Sequence, residues 1–228
     1  MVNIADSLLS IRRRIALAEQ KYTRPSGSVS LLAVSKSQPV TAIQAALAAG
    51  QLDFGENYLQ EVLDKSRELQ GLGLRWHFIG PVQSNKTRQL AACMDWVHSI
   101  EREKIAQRLS DARSREAAPL NVCIQVNISG EKSKSGVAPS EVDALAKKII
   151  KMQGLQLRGL MVIPAFTAEF ELQRKAFRKT RQLYERLLAS GFELDTLSMG
   201  MSMDMEAAIA EGSTLVRIGT AIFGERMA

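Results

Sequence analysis

The sequence predicts an α/β fold: a single (β/α)8 TIM barrel with one extra helix at the N-terminus, spanning residues 1–228 as one domain. Three observations carry this. Short apolar runs of strand length alternate with stretches of helical period along the whole chain, and the connections between them are short. About eight such runs occur, more than an open α/β sheet of this length usually holds.

Ile4, Leu8, Ile11, Ile15 and Ala18 recur at helical spacing, so the first two dozen residues read as an amphipathic helix that ends before Pro25-Ser26-Gly27. The run Leu31-Leu32-Ala33-Val34-Ser35-Lys36 is the first strand with its exit, and residues 39–49 are the helix after it, opened by a proline and closed by Gly50. Strands are then expected at 53–56, 75–79, 96–100, 122–127, 157–163, 196–198 and 215–218. The helices between them are expected at 58–70, 85–93, 102–113, 140–153, 170–190 and 204–211, the last two closed by Gly191 and Gly212.

Composition excludes several classes. Hydrophobic content of 46% and charged content of 24% are those of a globular protein rather than a disordered or fibrous one. Asp6, Arg12, Arg13 and Arg14 interrupt the N-terminal apolar residues, which speaks against a secretory signal, and no stretch has the length and apolarity of a membrane span. A cytoplasmic location follows by default. Cys93 and Cys123 have no metal or CxxC spacing and read as core residues, so no metal site is expected. The net charge of +6 favours anionic partners weakly, yet the basic residues are scattered over helical stretches with few aromatics, so nucleic acid is not an expected partner.

Lys36 is the first anomaly. An ammonium at the exit of a buried strand costs several kcal/mol to desolvate unless it is paired or neutralised. A neutral lysine amine is a nucleophile that forms Schiff bases with carbonyl cofactors; the plain alternative is a side chain that reaches solvent on its stem. Barrels of this kind place their site at the C-terminal strand ends and often hold phosphate in the loops after strands seven and eight. Strand seven runs into Met199-Gly200-Met201-Ser202-Met203-Asp204, and strand eight into Gly219-Thr220-Ala221. Each turn offers a glycine, a hydroxyl and a helix start; either alone reads as an ordinary helix cap, but their joint occurrence there favours phosphate.

By two-residue alternation Leu215, Arg217 and Gly219 share one face of the last strand, which places the Arg217 guanidinium at the barrel mouth if that face is the inner one. Other strand ends are polar too, at Glu56-Asn57, at His77 with Ser84-Asn85, and at Asn127. His77 by itself reads as a satisfied core histidine, and the methionines at 199, 201, 203 and 205 as packing. The loop 130–136, bounded by glycines, is either a lid over the mouth or a plain solvated loop.

These residues resemble the pyridoxal phosphate (PLP) homeostasis proteins, a family similar in fold to the N-terminal barrel of alanine racemase (fold type III). The matching segments run in order through nearly the whole chain: Leu32-Ala33-Val34-Ser35-Lys36, Phe54-Gly55-Glu56-Asn57-Tyr58, Trp76-His77-Phe78-Ile79-Gly80, Gln83-Ser84-Asn85-Lys86 and Lys132-Ser133-Lys134-Ser135-Gly136. They continue with Leu157-Arg158-Gly159-Leu160-Met161, Leu197-Ser198-Met199-Gly200-Met201-Ser202 and Val216-Arg217-Ile218-Gly219-Thr220-Ala221-Ile222-Phe223-Gly224. Met203 departs from the pattern, which more often has a polar residue there, and is not expected to touch the cofactor.

The resemblance implies that Lys36 carries PLP as a Schiff base and that Ser202, Gly219 and Thr220 hold its phosphate. It also implies that Arg217 faces the pyridine nitrogen and that Asn57, His77 and Met161 lie around the ring. An arginine partner leaves the ring nitrogen largely unprotonated and makes the cofactor a poor electron sink. Alanine racemase takes a second base from a further C-terminal domain of a partner subunit, and here the chain stops at Ala228, directly after the barrel. The expectation is therefore a monomeric, non-catalytic protein that buffers PLP or delivers it to apo-enzymes. The alternative is a racemase-like PLP enzyme acting on an amine substrate, with His77 or a hydroxyl moving protons; should Lys36 not be the Schiff-base lysine, the assignment shifts to another such as Lys132 or Lys134.

Overall fold

Eight parallel strands pair in sequence order, and β1 pairs with β8 to close the barrel, in the computed structural model, which describes residues 3–131 and 134–224. The strands are β1 (Ser30–Val34), β2 (Asp53–Glu56), β3 (Arg75–Phe78), β4 (Trp96–Ile100), β5 (Leu120–Val126), β6 (Leu155–Val162), β7 (Thr196–Ser198) and β8 (Leu215–Ile218). The helices are α1 (Ile4–Lys21), α2 (Val40–Ala48), α3 (Leu59–Glu68), α4 (Thr87–Cys93), α5 (Glu103–Ala112), α6 (Val142–Ile149), α7 (Phe170–Ala189), α8 (Met205–Ala210) and α9 (Thr220–Phe223). The predicted fold class and element order hold throughout. No helix among the described residues is long and apolar enough to cross a membrane.

The extra helix α1 is capped by Asn3, whose side chain accepts from the backbone N–H groups of Ala5 and Asp6. It buries Leu8, Ile11 and Ile15 and packs against α2, α8 and α9, across the seam where the last unit meets the first. The apolar layer between strands and helices includes Ala33, Phe54, Phe78, Val97, Val122, Leu160, Leu197, Val216 and Ile218.

β5 and β6 begin before the predicted 122 and 157 because polar residues at their starts mask the apolar run. Asn121 and Arg158 point into the barrel, where Arg158 Nη1 donates to Asn121 Oδ1 at 2.7 Å and its guanidinium lies 4.8 Å from the Trp96 ring. The register of this pair shifts between Val122 and Cys123, and Gly159 follows on the partner strand. A Cβ on Gly159 would collide with the Thr196 carbonyl of β7, so the close approach of β6 to β7 requires glycine.

The inside of the barrel is polar. His98 of β4 reaches Ser198 of β7, and Arg217 of β8 reaches Val162 of β6; these strands are not neighbours, so the contacts cross the interior. The face of β8 that carries Arg217 is therefore the inner one, and Val216 and Ile218 pack outward against the helices.

Candidate functional site

At the C-terminal ends of the strands lies a cavity of about 330 Å3, within the size range of small-molecule sites. Six strand ends build it. Lys36 follows β1, Asn57 follows β2, Ile79 follows β3, residues 163–167 follow β6, residues 201–204 follow β7, and Arg217, Gly219 and Thr220 come from β8 and its exit. A larger groove of about 870 Å3 runs along the flank beside α5, with Lys148, Lys151, Arg113 and Arg115 in its walls, and brings together no buried reactive group.

The turn that presents Lys36 is clamped from both sides. Ser35 donates its backbone N–H to the Gly55 carbonyl and its hydroxyl to Glu56 Oε1 at 2.6 Å. Ser37 sits at a φ of 58°, and its N–H donates to Glu61 Oε2 at 2.7 Å. Lys65 Nζ then ties these groups together, donating to the Ser35 carbonyl, Glu56 Oε1 and Glu61 Oε2 at 2.9, 2.8 and 2.9 Å. Burial pushes the Glu56 carboxyl above its usual range against the pull of Lys65. Burial acts upward on Glu61 as well, but there the bonds from Lys65 and Ser37 win and its pKa is lowered.

Opposite, Arg217 is buried and directs its guanidinium to backbone and hydroxyl. Nη1 donates to the Ser198 carbonyl and Oγ at 2.6 and 2.8 Å, and Nη2 donates to the Val162 carbonyl at 2.8 Å. Burial lowers its pKa to about 10, with Asp204 opposing, so it stays cationic at neutral pH. Asp204 in turn is raised by burial and accepts from the Met201 N–H at 2.6 Å, which closes the turn that carries Ser202.

Six of the eight expected residues meet in this cavity: Lys36, Asn57, Ser202, Arg217, Gly219 and Thr220. The other two, His77 and Met161, do not line it. His77 is one layer too deep, because inward residues of β3 alternate and Ile79, two positions on, is the one that reaches the rim. Its ring is stacked on Trp96, Nε2 faces Asp53 at 3.1 Å, and it borders a cavity at the opposite mouth. Met161 is likewise buried below the site, and Ile163 forms the wall in its place. Met203, largely exposed, lines the cavity edge.

The loop after β5 contributes no described side chain to the cavity. Asn127 instead holds that loop, donating to the carbonyls of Glu131 and Lys134 at 2.8 and 3.2 Å, and Lys134 Nζ pairs with Glu131 at 3.3 Å. Lys132 lies outside the described residues. The sequence alone assigns no site role to Lys65, Glu61, Ile79, Asp204 or the 163–167 segment. Of these, Glu61 and Lys65 carry a signal, an acid and a lysine at helical spacing beside a strand-end glutamate.

The cavity has the donor set of a site for a phosphorylated carbonyl compound: an amine, a buried guanidinium and two hydroxyl-bearing turns on one wall system. The Asn57 side-chain oxygen is buried there without a hydrogen-bond partner, which a bound ligand would satisfy. At Gly219 a Cβ would lie 3.2 Å from the Val34 carbonyl, so glycine keeps that wall low.

The alanine racemase N-terminal domain model matches residues 7–227. The chain is 56% identical to the pyridoxal phosphate homeostasis protein of Pseudomonas aeruginosa, over 99% of this chain and 97% of that one. It is 51% identical to the protein of the same name from Escherichia coli K12, over 99% and 98%. The chain belongs to the pyridoxal phosphate homeostasis proteins, within the alanine racemase N-terminal domain family. Among solved structures of this fold, PipY of Synechococcus elongatus with PLP bound superposes with a TM-score of 0.84 at 36% identity, covering 97% of this chain and all of that one (100%). The PLP-free form of PipY superposes at 0.85.

Proposed function

We propose that this protein binds PLP at the C-terminal mouth of its barrel, holds it as a Schiff base on Lys36, and buffers it or delivers it to apo-enzymes without substantial catalysis of its own. The observation that carries the reading is the meeting of Lys36, Arg217 and the two hydroxyl-bearing turns, Ser202 and Gly219-Thr220, in one cavity. A solved relative that holds PLP supports it.

Bound here, PLP would supply an aldehyde able to condense with an amine, and Lys36 is the residue whose amine would hold it. Ser202 and Thr220 donate hydroxyls to the phosphate, with N–H groups at the starts of α8 and α9, which lack intrahelical partners, beside them. Arg217 would face the ring nitrogen as a donor that keeps its own proton, since its pKa stays far above neutrality. That arrangement stores the cofactor and gives little help to carbanion formation. The unit is read as a cytoplasmic monomer acting as one domain.

Absorption spectroscopy with borohydride trapping tests the proposal. Added PLP is expected to give a Schiff-base band, and reduction is expected to fix it on the peptide that contains Lys36. A band that survives Lys36→Ala, or racemisation of amino acids at enzyme-like rates, would overturn the respective half of the reading.

A further inference from the structure

Below the cavity, an unbroken line of hydrogen bonds runs down the inside of the barrel. Arg217 Nη1 donates to Ser198 Oγ at 2.8 Å, Ser198 Oγ meets His98 Nδ1 at 2.9 Å, and His98 Nε2 meets His77 Nδ1 at 2.9 Å. His77 Nε2 meets Asp53 Oδ1 at 3.1 Å, and Arg75 grips the same carboxylate through Nε and Nη2 at 2.6 Å each. Five strands contribute, and Ser198, His98, His77 and Arg217 are all at most 4% exposed.

The chemistry of its two ends gives this line a single direction. A guanidinium has donors only, so Ser198 Oγ accepts from Arg217 and keeps its own proton available to His98 Nδ1, while the Asp53 end decides that it is used there. A neutral His98 then carries its proton on Nε2 and donates to His77 Nδ1. His77 in turn carries its proton on Nε2 and donates to Asp53, which has acceptors only. The reverse direction would set a bare imidazole nitrogen against a carboxylate. Burial lowers the pKa of both histidines, His98 strongly, which keeps them neutral.

We propose that Ser198, His98, His77 and Asp53 form a one-way hydrogen-bond relay that fixes the Arg217 guanidinium for the cofactor cavity, which makes Ser198 and His98 positioning residues. The relay links a buried cation at one mouth of the barrel to a carboxylate at the other, and its bonds polarise one another in a low-dielectric interior. Its value for the cofactor rests on the PLP reading above; its direction and its hold on Arg217 do not.

The test uses the PLP-free full chain first. With only two histidines in the sequence, 15N NMR resolves both imidazoles directly. Both are expected as the neutral tautomer protonated on Nε2, together with a slowly exchanging Arg217 guanidinium signal. Ser198→Ala is expected to broaden or lose that signal and to move the His98 Nδ1 resonance, while Ser198→Thr, which keeps the hydroxyl, restores both. An Nδ1-protonated tautomer at either histidine, or an Arg217 signal indifferent to Ser198→Ala in a folded protein, would overturn the relay. With PLP added, Ser198→Ala is expected to shift the Schiff-base band and weaken binding roughly tenfold, as loss of a charge-assisted hydrogen bond does. An unchanged band and affinity in that variant would remove its role toward the cofactor. Failure of the wild-type chain to bind PLP would sink the functional proposal, while the NMR spectra of the PLP-free chain would still decide the relay.

Discussion

Lys65 on α3 stands between Glu56 of β2 and Glu61 of its own helix, with Nζ within 2.9 Å of both carboxylates, and through the Ser35 carbonyl it sets the turn that carries Lys36. The Lys65 and Glu56 side chains are 8% and 0% exposed, so this pair has no solvent to fall back on.

Lys65→Met is therefore expected to lower stability by about 3–5 kcal/mol, because it leaves a buried carboxylate uncompensated. Urea unfolding measures this. The double variant with Glu56→Gln is expected to recover a large part of the loss, and full additivity of the two changes would contradict the pairing.

Acid stability should report on Asp53. Burial pushes its carboxyl up, but the bonds from Arg75 and His77 outweigh that and bring it down to about 2 from 3.8. A depressed folded-state pKa contributes stability that is fully present above the unfolded value and is lost as pH falls through the folded one. Unfolding free energy is expected to drop between about pH 4 and pH 2, and Asp53→Asn should flatten the profile there.

At Gly159, Ala is expected to destabilise by about 1–3 kcal/mol, since the added methyl meets the backbone of β7 rather than a movable side chain. Thermal unfolding checks this. Equal stability of Gly159→Ala and wild type would mean that the approach of β6 to β7 is looser than observed.

Arg217→Lys is expected to impair both fold and site, because an ammonium cannot reproduce a planar fork that reaches the Ser198 carbonyl, its hydroxyl and the Val162 carbonyl at once. Chemical denaturation and PLP titration should both register the loss.

Thiol labelling offers a simple probe of the core. Burial pushes the Cys93 thiol up to about 11 and Cys123 higher still, so at neutral pH both should resist an alkylating reagent until the chain unfolds. Fast labelling of Cys123 in the native protein would contradict its place inside the barrel.

Much of this was legible in the sequence because the barrel repeats one simple signal. Apolar strand runs bounded by glycine and proline placed the element order, and the turns at Gly200 and Gly219 could be found by counting strands. The depth of an inward-facing residue was not legible: His77 and Ile79 share a face, and only closure of the barrel shows which reaches the rim. The partners of Arg217 were hidden for a related reason, since Ser198 and Val162 come from different strands and two of its three acceptors are backbone carbonyls, which no side-chain pattern announces. Boundaries erred where polar residues face inward, as at Asn121.

The pairing of β1 with β8 has a kinetic consequence. Lys36 emerges early in synthesis, but Arg217, Gly219 and Thr220 come from the last strand and its exit, so the pocket has no existence until almost the entire chain has left the ribosome. Sequence-distant contacts of this kind form late and slowly. A nascent chain arrested before residue 215 should carry Lys36 without the wall that Arg217, Gly219 and Thr220 supply, which ties completion of the cavity to the closing step of folding rather than to translation of the lysine.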